Sequence, residues 1–192
     1  MSQQYEISYI PFCREFEGNI CHMYLDSDTP GNVTTGNGFL IPSATAACTF
    51  PFYLPGLHTP ATAQEIAAEY WRVKAMPSAR PASFYDAPSA LQLKQEDIDA
   101  HLLAELDKLD EGMAAGIPNY PGLPDSWKMA LIDMAFNLGL HGLLTGYPEM
   151  LAAVQAGDGA TAALQCHRNR ISAARNAWAV DQFNSQENLA NS

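Results

Sequence analysis

The stretch EGNICHMYLDSDTPGNVTTGNGF, Glu17 to Phe39, passes from a helix end into strand-like sequence, a turn and a second extended run. Upstream of it, Ile7 to Phe16 reads as a short helix with Ile7, Ile10, Phe12 and Phe16 on its apolar side, weakened in the middle by Pro11. Glu17-Gly18 reads as the end of that helix, with Gly18 in the position after the cap that favours a left-handed backbone. Ile20 to Tyr24 has a strand pattern. Ser27 to Asn32 is dense in turn-forming residues, and Val33 to Ile41 resumes an extended chain punctuated by Gly36 and Gly38. Together these predict a small β-hairpin or three-stranded sheet near the N-terminus.

The rest of the chain predicts helices. Thr49 to Pro60 is a Pro-rich loop, and Thr59-Pro60-Ala61-Thr62 opens a helix to about Ala75 with Ile66, Tyr70 and Val73 on one face. Pro77 to Pro88 is a second Pro-rich connector. Gln95 to Gly112 is the clearest amphipathic helix, because Ile98, Leu102, Leu106, Leu109 and Met113 recur at steps of three or four. Gly112 and Gly116 should end it. Trp127 to Leu138 is apolar nearly all round, as a buried helix must be. Further helices are expected at 147–156, 160–170 and 175–183, followed by a frayed tail. One small β element followed by helices is an α+β arrangement.

The bulk numbers narrow the function classes. A chain of 192 residues with 47% hydrophobic and 16% charged residues fits a single folded domain or two lobes of one. A net charge of −11 offers no basic stripe for phosphates and none for anionic lipid. No nucleic-acid partner and no membrane partner is therefore expected. No uninterrupted apolar run reaches transmembrane length, and MSQQYEISYI lacks the basic and apolar regions of a signal peptide. Cys13, Cys21, Cys48 and Cys166 show no metal-binding spacing, and the five histidines form no ligand set, so no metal and no cofactor is expected. The four cysteines are compatible either with two disulfides or with buried thiols.

Glu17 and Asp26 are the residues with chemical potential. Cleaving a glycosidic bond takes one carboxylic acid to protonate the leaving oxygen and a second carboxylate on the other side of the sugar. Glu17, beside Phe16 at the end of an apolar helix, suits the acid, which works best partly desolvated. Asp26, beside a turn rich in donors, suits the ionised partner. Thr34 or Thr35 could hold a water against Asp26, and Asp28 competes with Asp26 for its role. Taken alone, an acid pair at this spacing is also what solvated surface charge produces.

A wider pattern lifts the pair above chance. Glu17-Gly18, then Tyr24-Leu25-Asp26, then Gly31, Thr34, Gly36 and Gly38 resemble the catalytic region of the phage-type lysozymes, the family-24 muramidases. A second block, ALIDMAFNLG from Ala130 to Gly139, resembles the buried central helix of that family with its Phe-Asn-x-Gly ending. The resemblance runs in patches over about residues 7–185. It implies a single lysozyme-like domain over 1–192 with two lobes: a small β-containing lobe at about 17–76, a mainly helical lobe from 1–16 and 77–185, and a flexible tail at 186–192. It also implies hydrolysis of the β-1,4 bond between N-acetylmuramic acid and N-acetylglucosamine in the glycan strands of peptidoglycan, with inversion. Glu17 would be the general acid, Asp26 the residue that activates water, and Thr34 the residue that holds it. Asn137, Asp28 and Thr35 would contact substrate. Two features depart from the family pattern: the Asp26-to-Thr34 spacing is two residues longer, and Phe39 stands where the family often has His.

The Pro-rich loops and the acidic balance resemble the variants of this family found as secreted antibacterial effectors. For such a domain the place of action is the periplasmic cell wall. Delivery would fall to a secretion system, a phage lysis system or a larger parent chain, and the protein partners would be that machinery or a cognate immunity protein. Two other readings remain at this stage: a catalytically silent peptidoglycan-binding domain of the same fold, and a Cys-His amidase. Arg170 and Arg175 could bind a substrate carboxylate or pair with acids. Trp71, Trp127 and Trp178 could stack on sugars or fill the core.

Overall fold

The computed structural model describes residues 4–27 and 31–185. The chain is α+β: eight α-helices and one three-stranded antiparallel sheet are present among the described residues. It divides into two compact units, one formed by Ile10–Leu102 and the other by the residues up to Tyr9 together with Leu103 onward.

The first unit begins within helix α1, Gln4–Glu17. Pro11 lies well inside this helix, where its missing N–H and its ring should break the turn at a loss of about 3 kcal/mol. The helix persists because its buried side is anchored by Tyr5, Tyr9 and Cys13, four residues apart and at most 5% exposed. The expected apolar side is therefore wrong in part: Phe12 and Phe16 flank this row and are half-buried, whereas Ile10 is turned away from it and Ile7, 45% exposed, is nearly opposite. Gly18 follows with φ +78°, the left-handed residue expected after the helix end.

Strands β1 (Ile20–Leu25), β2 (Val33–Gly36) and β3 (Phe39–Ile41) then pair in the order β1-β2-β3. Tyr24 faces Thr34 and Leu25 faces Val33, but Ile20 pairs with Gly36, so β1 bulges between Ile20 and Tyr24. The Thr35 hydroxyl spans the bulge, 3.2 Å from the His22 carbonyl and 3.4 Å from that of Ile20. The N–H of Leu93 takes up the Cys21 carbonyl at 2.7 Å. At the β2–β3 corner Gly36 has φ +60°, and a Cβ there would lie 2.6 Å from the Phe39 ring. Only glycine combines that backbone with the ring folded back upon it.

Helices α2 (Ala44–Ala47) and α3 (Ala63–Lys74) complete this unit, with the beginning of α4 (Gln95–Gly116). Thr62 caps α3 in a reciprocal capping box with Glu65. In the second unit, α4 runs a turn past its expected end at Gly112. A Cβ on Gly112 would meet Leu140 at 2.3 Å, and one on Gly116 would meet Leu144 at 2.7 Å. These glycines thus seat the leucines of α5 (Asp125–Gly146) and do not stop the helix at the first of them.

Among the described residues, helix α5 is long and apolar enough to cross a bilayer by length and composition, although Lys128, Asp133 and Asn137 interrupt its apolar run. Ala130 to Ala135 are instead buried within the unit, as foreseen for a core helix. Its regular path breaks at Gly139, φ +72° and ψ 152°, one residue beyond the expected end. Helices α6 (Pro148–Ala156), α7 (Gly159–Gln165) and α8 (Ala173–Asn184) follow. The expected helix at 160–170 ends at Gln165 because the next residues leave the helix to carry the fully buried Arg168 inward.

Candidate active site

Glu17 sits at the last position of α1, half-buried, with β1 beginning three residues later. It lines an open cleft of about 420 Å³ in the first unit, together with Ile20, Tyr24, Ser27, Arg80 and Ala82. The helix end that carries it is fixed by Asn37, 1% exposed, whose amide donates to the Gly18 carbonyl at 2.5 Å. The turn between β2 and β3 therefore sets where Glu17 stands.

Asp26 follows the last residue of β1 and is half-buried. Its backbone N–H donates to the Asn32 carbonyl at 2.9 Å, which closes the base of the β1–β2 connection. Its neighbours Leu25 and Ser27 both line the cleft. Tyr24 relates the two acids electrostatically: burial, then the negative charge of Asp26, then that of Glu17, push its phenol up to about 12. Glu17 and Asp26 thus act on one hydroxyl at the cleft wall.

Thr34 is the cross-strand partner of Tyr24 and so shares its face of the sheet, 3% exposed. Thr35 points to the other face, fully buried, with its hydroxyl committed to the β1 carbonyls. Asp28 lies outside the described residues. Phe39 packs edge-on against His101 with ring centres 4.3 Å apart and stacks on Phe50 at 6.3 Å. It joins the apolar core of its unit, 7% exposed.

Asn137 belongs to the other unit. Its side-chain oxygen accepts from Arg168 Nη1 at 2.6 Å. Arg168 is ion-paired at 2.7 Å with Asp133, which also receives Arg175 at 2.6 Å and the Tyr9 hydroxyl at 2.8 Å. Arg175 therefore pairs with an acid, as one of its two sequence readings held. Trp127 is buried against Phe183, Trp178 lies 6.3 Å from Tyr9, and Trp71 is 61% exposed on α3.

The cleft is also lined by Ala79, Arg80, Pro81 and Ala82, which the sequence did not single out. The connector after α3 makes a short 3-10 turn at Ala82–Phe84. His22 Nε2 donates to the Ala82 carbonyl at 2.9 Å and so bears the proton on that nitrogen. Ala79 stands at φ +57°, a left-handed backbone that a residue with a Cβ adopts at a loss of roughly 1–2 kcal/mol. That turn of the chain introduces Arg80. No local sequence signal announces it, because the ties that hold the connector are accepted by backbone carbonyls.

No disulfide forms among the described residues, and all four cysteines are thiols. Burial, then the Asp86 charge, push the Cys21 thiol up, and burial pushes Cys166 up as well. That direction is opposite to the one a nucleophilic thiol needs. A scan against protein-family models finds no match to this chain, and neither does a search of curated proteins.

Proposed function

We propose that this protein is a peptidoglycan hydrolase of the muramidase type, which cleaves the β-1,4 bond between N-acetylmuramic acid and N-acetylglucosamine. The observation that carries the reading is electrostatic: Glu17 and Asp26 both act on the Tyr24 phenol, and Glu17 and Tyr24 line one open cleft. Glycoside hydrolysis requires two carboxylates about one sugar-sized opening; Glu17 lines the cleft, and Asp26 stands between Leu25 and Ser27, which do. Glu17 then protonates the leaving oxygen as the bond lengthens and positive charge grows on the anomeric carbon. Asp26 takes a proton from a water entering on the opposite face, and the anomeric configuration inverts. Thr34, on the sheet face of Tyr24, holds that water. Action on the periplasmic wall as a delivered effector domain, with an immunity protein as partner, extends the same proposal.

Mass spectrometry of digested peptidoglycan identifies the cleaved bond. Reducing N-acetylmuramic acid ends are expected, with no newly exposed amines. Glu17→Gln should keep its fold and lose roughly 10²–10⁴-fold in rate, the range for removal of a general acid. Near-normal clearing of purified wall by that variant would remove the proposal.

A further inference from the structure

A cavity of about 410 Å³ lies in the second unit, lined from the start of α1, the start of α5 and the end of α8. That volume suits a small ligand. Ser126 lines it from the first turn of α5 and is 7% exposed. No group among the described residues bonds its buried hydroxyl. A buried hydroxyl left unpaired is costly, so an orphan at a cavity points to something that enters the cavity and meets it. Pro124 stands at the cap position of α5, and no side chain caps that end. The N–H groups of the first turn are therefore open to an outside acceptor.

The rest of the lining both donates and accepts. Gln4 and Gln182 each bring an amide, and Ser8 and Ser185 each bring a hydroxyl. Ser8 donates to the Gln4 carbonyl at 3.1 Å and keeps its lone pairs for a ligand. Tyr5 and Met129 add apolar surface. Asp125 is the one charged residue among the described residues of the lining, and it repels an anion. The Lys128 ammonium, 5.2 Å from the centre of the Tyr5 ring, repels a cation. A neutral ligand with several hydroxyls, an amide and an apolar face matches this set, and an N-acetylated sugar is such a ligand. We infer that this cavity is a second glycan-binding site, which takes a neutral N-acetylhexosamine unit and is distinct from the cleft that Glu17 lines. The inference rests on the hydrolase reading for the identity of the polymer only. A second contact with a polymeric substrate lengthens the stay of an enzyme on it without entering the chemistry.

Full-length protein carrying Glu17→Gln is titrated with N,N′-diacetylchitobiose, a neutral sugar without a carboxylate, and followed by amide NMR. The backbone amides of Asp125, Ser126 and Trp127 and the side-chain amides of Gln4 and Gln182 should shift together and saturate with one Kd. Ser126→Ala should weaken that Kd about three- to tenfold, the range for one neutral hydrogen bond. Gln182→Leu, at a half-buried position of α8, should weaken it similarly and tests the site without touching the buried serine. Sodium acetate in place of the sugar should leave these signals unmoved. Shifts confined to the residues around Glu17, no saturable shift at all, or an equal response to acetate would overturn the inference. Failure of the hydrolase reading is seen separately. If protein with Glu17 intact releases no reducing ends from purified wall but the sugar still binds in a manner that depends on Ser126 and Gln182, the second site stands and hydrolysis falls.

Discussion

At the scale of single residues, Tyr24 is the reporter of the candidate site. Its folded phenol, at about 12, lies above the value of roughly 10 for a free tyrosine. The native state therefore resists ionisation that the unfolded chain accepts. The stability this represents is complete below pH ~10 and is lost as pH rises toward the folded value. Removing a nearby negative charge should ease ionisation. Asp26→Asn should lower the Tyr24 value more than Glu17→Gln does, since Asp26 contributes the larger of the two charge effects. Ring-proton NMR across an alkaline titration reads this, with Tyr24→Phe identifying the signal. That control matters because burial, with Asp110, also pushes Tyr5 and Tyr120 up. A Tyr24 titration unmoved by Glu17→Gln would mean that the acid does not face the phenol, and the site would lose its geometry.

At the scale of elements, the ionic centre of the second unit joins α1, α5 and α8 with the segment after α7. Asp133 on α5 is fully buried and receives Arg168, Arg175 and the Tyr9 hydroxyl. Asp133→Asn would leave two buried guanidinium groups facing an amide, a loss of about 3–5 kcal/mol by analogy with other broken buried pairs. Urea unfolding followed by fluorescence measures it; a loss under about 1 kcal/mol would mean that the arginines find other acceptors. The same centre explains where sequence reading stopped. Helix α4 was legible because Ile98, Leu102, Leu106 and Met113 repeat at helical spacing and are at most 1% exposed. The start of α3 was legible only as the stretch Thr59–Thr62, within which Thr62 is the cap. Helix α7 was drawn too long because what ends it is the pull of Asp133, on another helix, upon Arg168. In helix α1 Ile7 and Ile10 were wrongly set on the buried side, because hydroxyl contacts from Tyr5 and Tyr9 to distant acids outweigh its aliphatic residues. The acids of the site were legible as a motif, and so was the small sheet. The division at Asn37-Gly38 was available too, as a hairpin dipeptide, but the extended reading ran through it. Arg80 was not legible: its place depends on carbonyl acceptors and on a positive φ at an alanine.

At the scale of the whole molecule, net charge governs approach to the proposed substrate. Peptidoglycan carries carboxylates, and a chain of net charge −11 meets it with like sign. Long-range repulsion should slow encounter at low ionic strength, the reverse of the steering that a basic protein enjoys. The screening length falls from about 30 Å at 0.01 M salt to about 8 Å at 0.15 M. Initial rates of wall solubilisation at limiting substrate should therefore rise over that range. Wall whose carboxylates have been amidated carries far less charge and should show a nearly flat response. Arg80, in the cleft lining, works at contact distance and in the opposite sense, so salt should weaken its attraction for a wall carboxylate while it speeds encounter. The rate gap between the parent protein and Arg80→Gln on intact wall should then narrow as salt rises, even as both rates increase. Turbidity clearing of purified wall, run with both proteins across that salt series, separates the two effects. A rate that falls with salt for both proteins would show that local positive charge controls the approach, and that net charge does not.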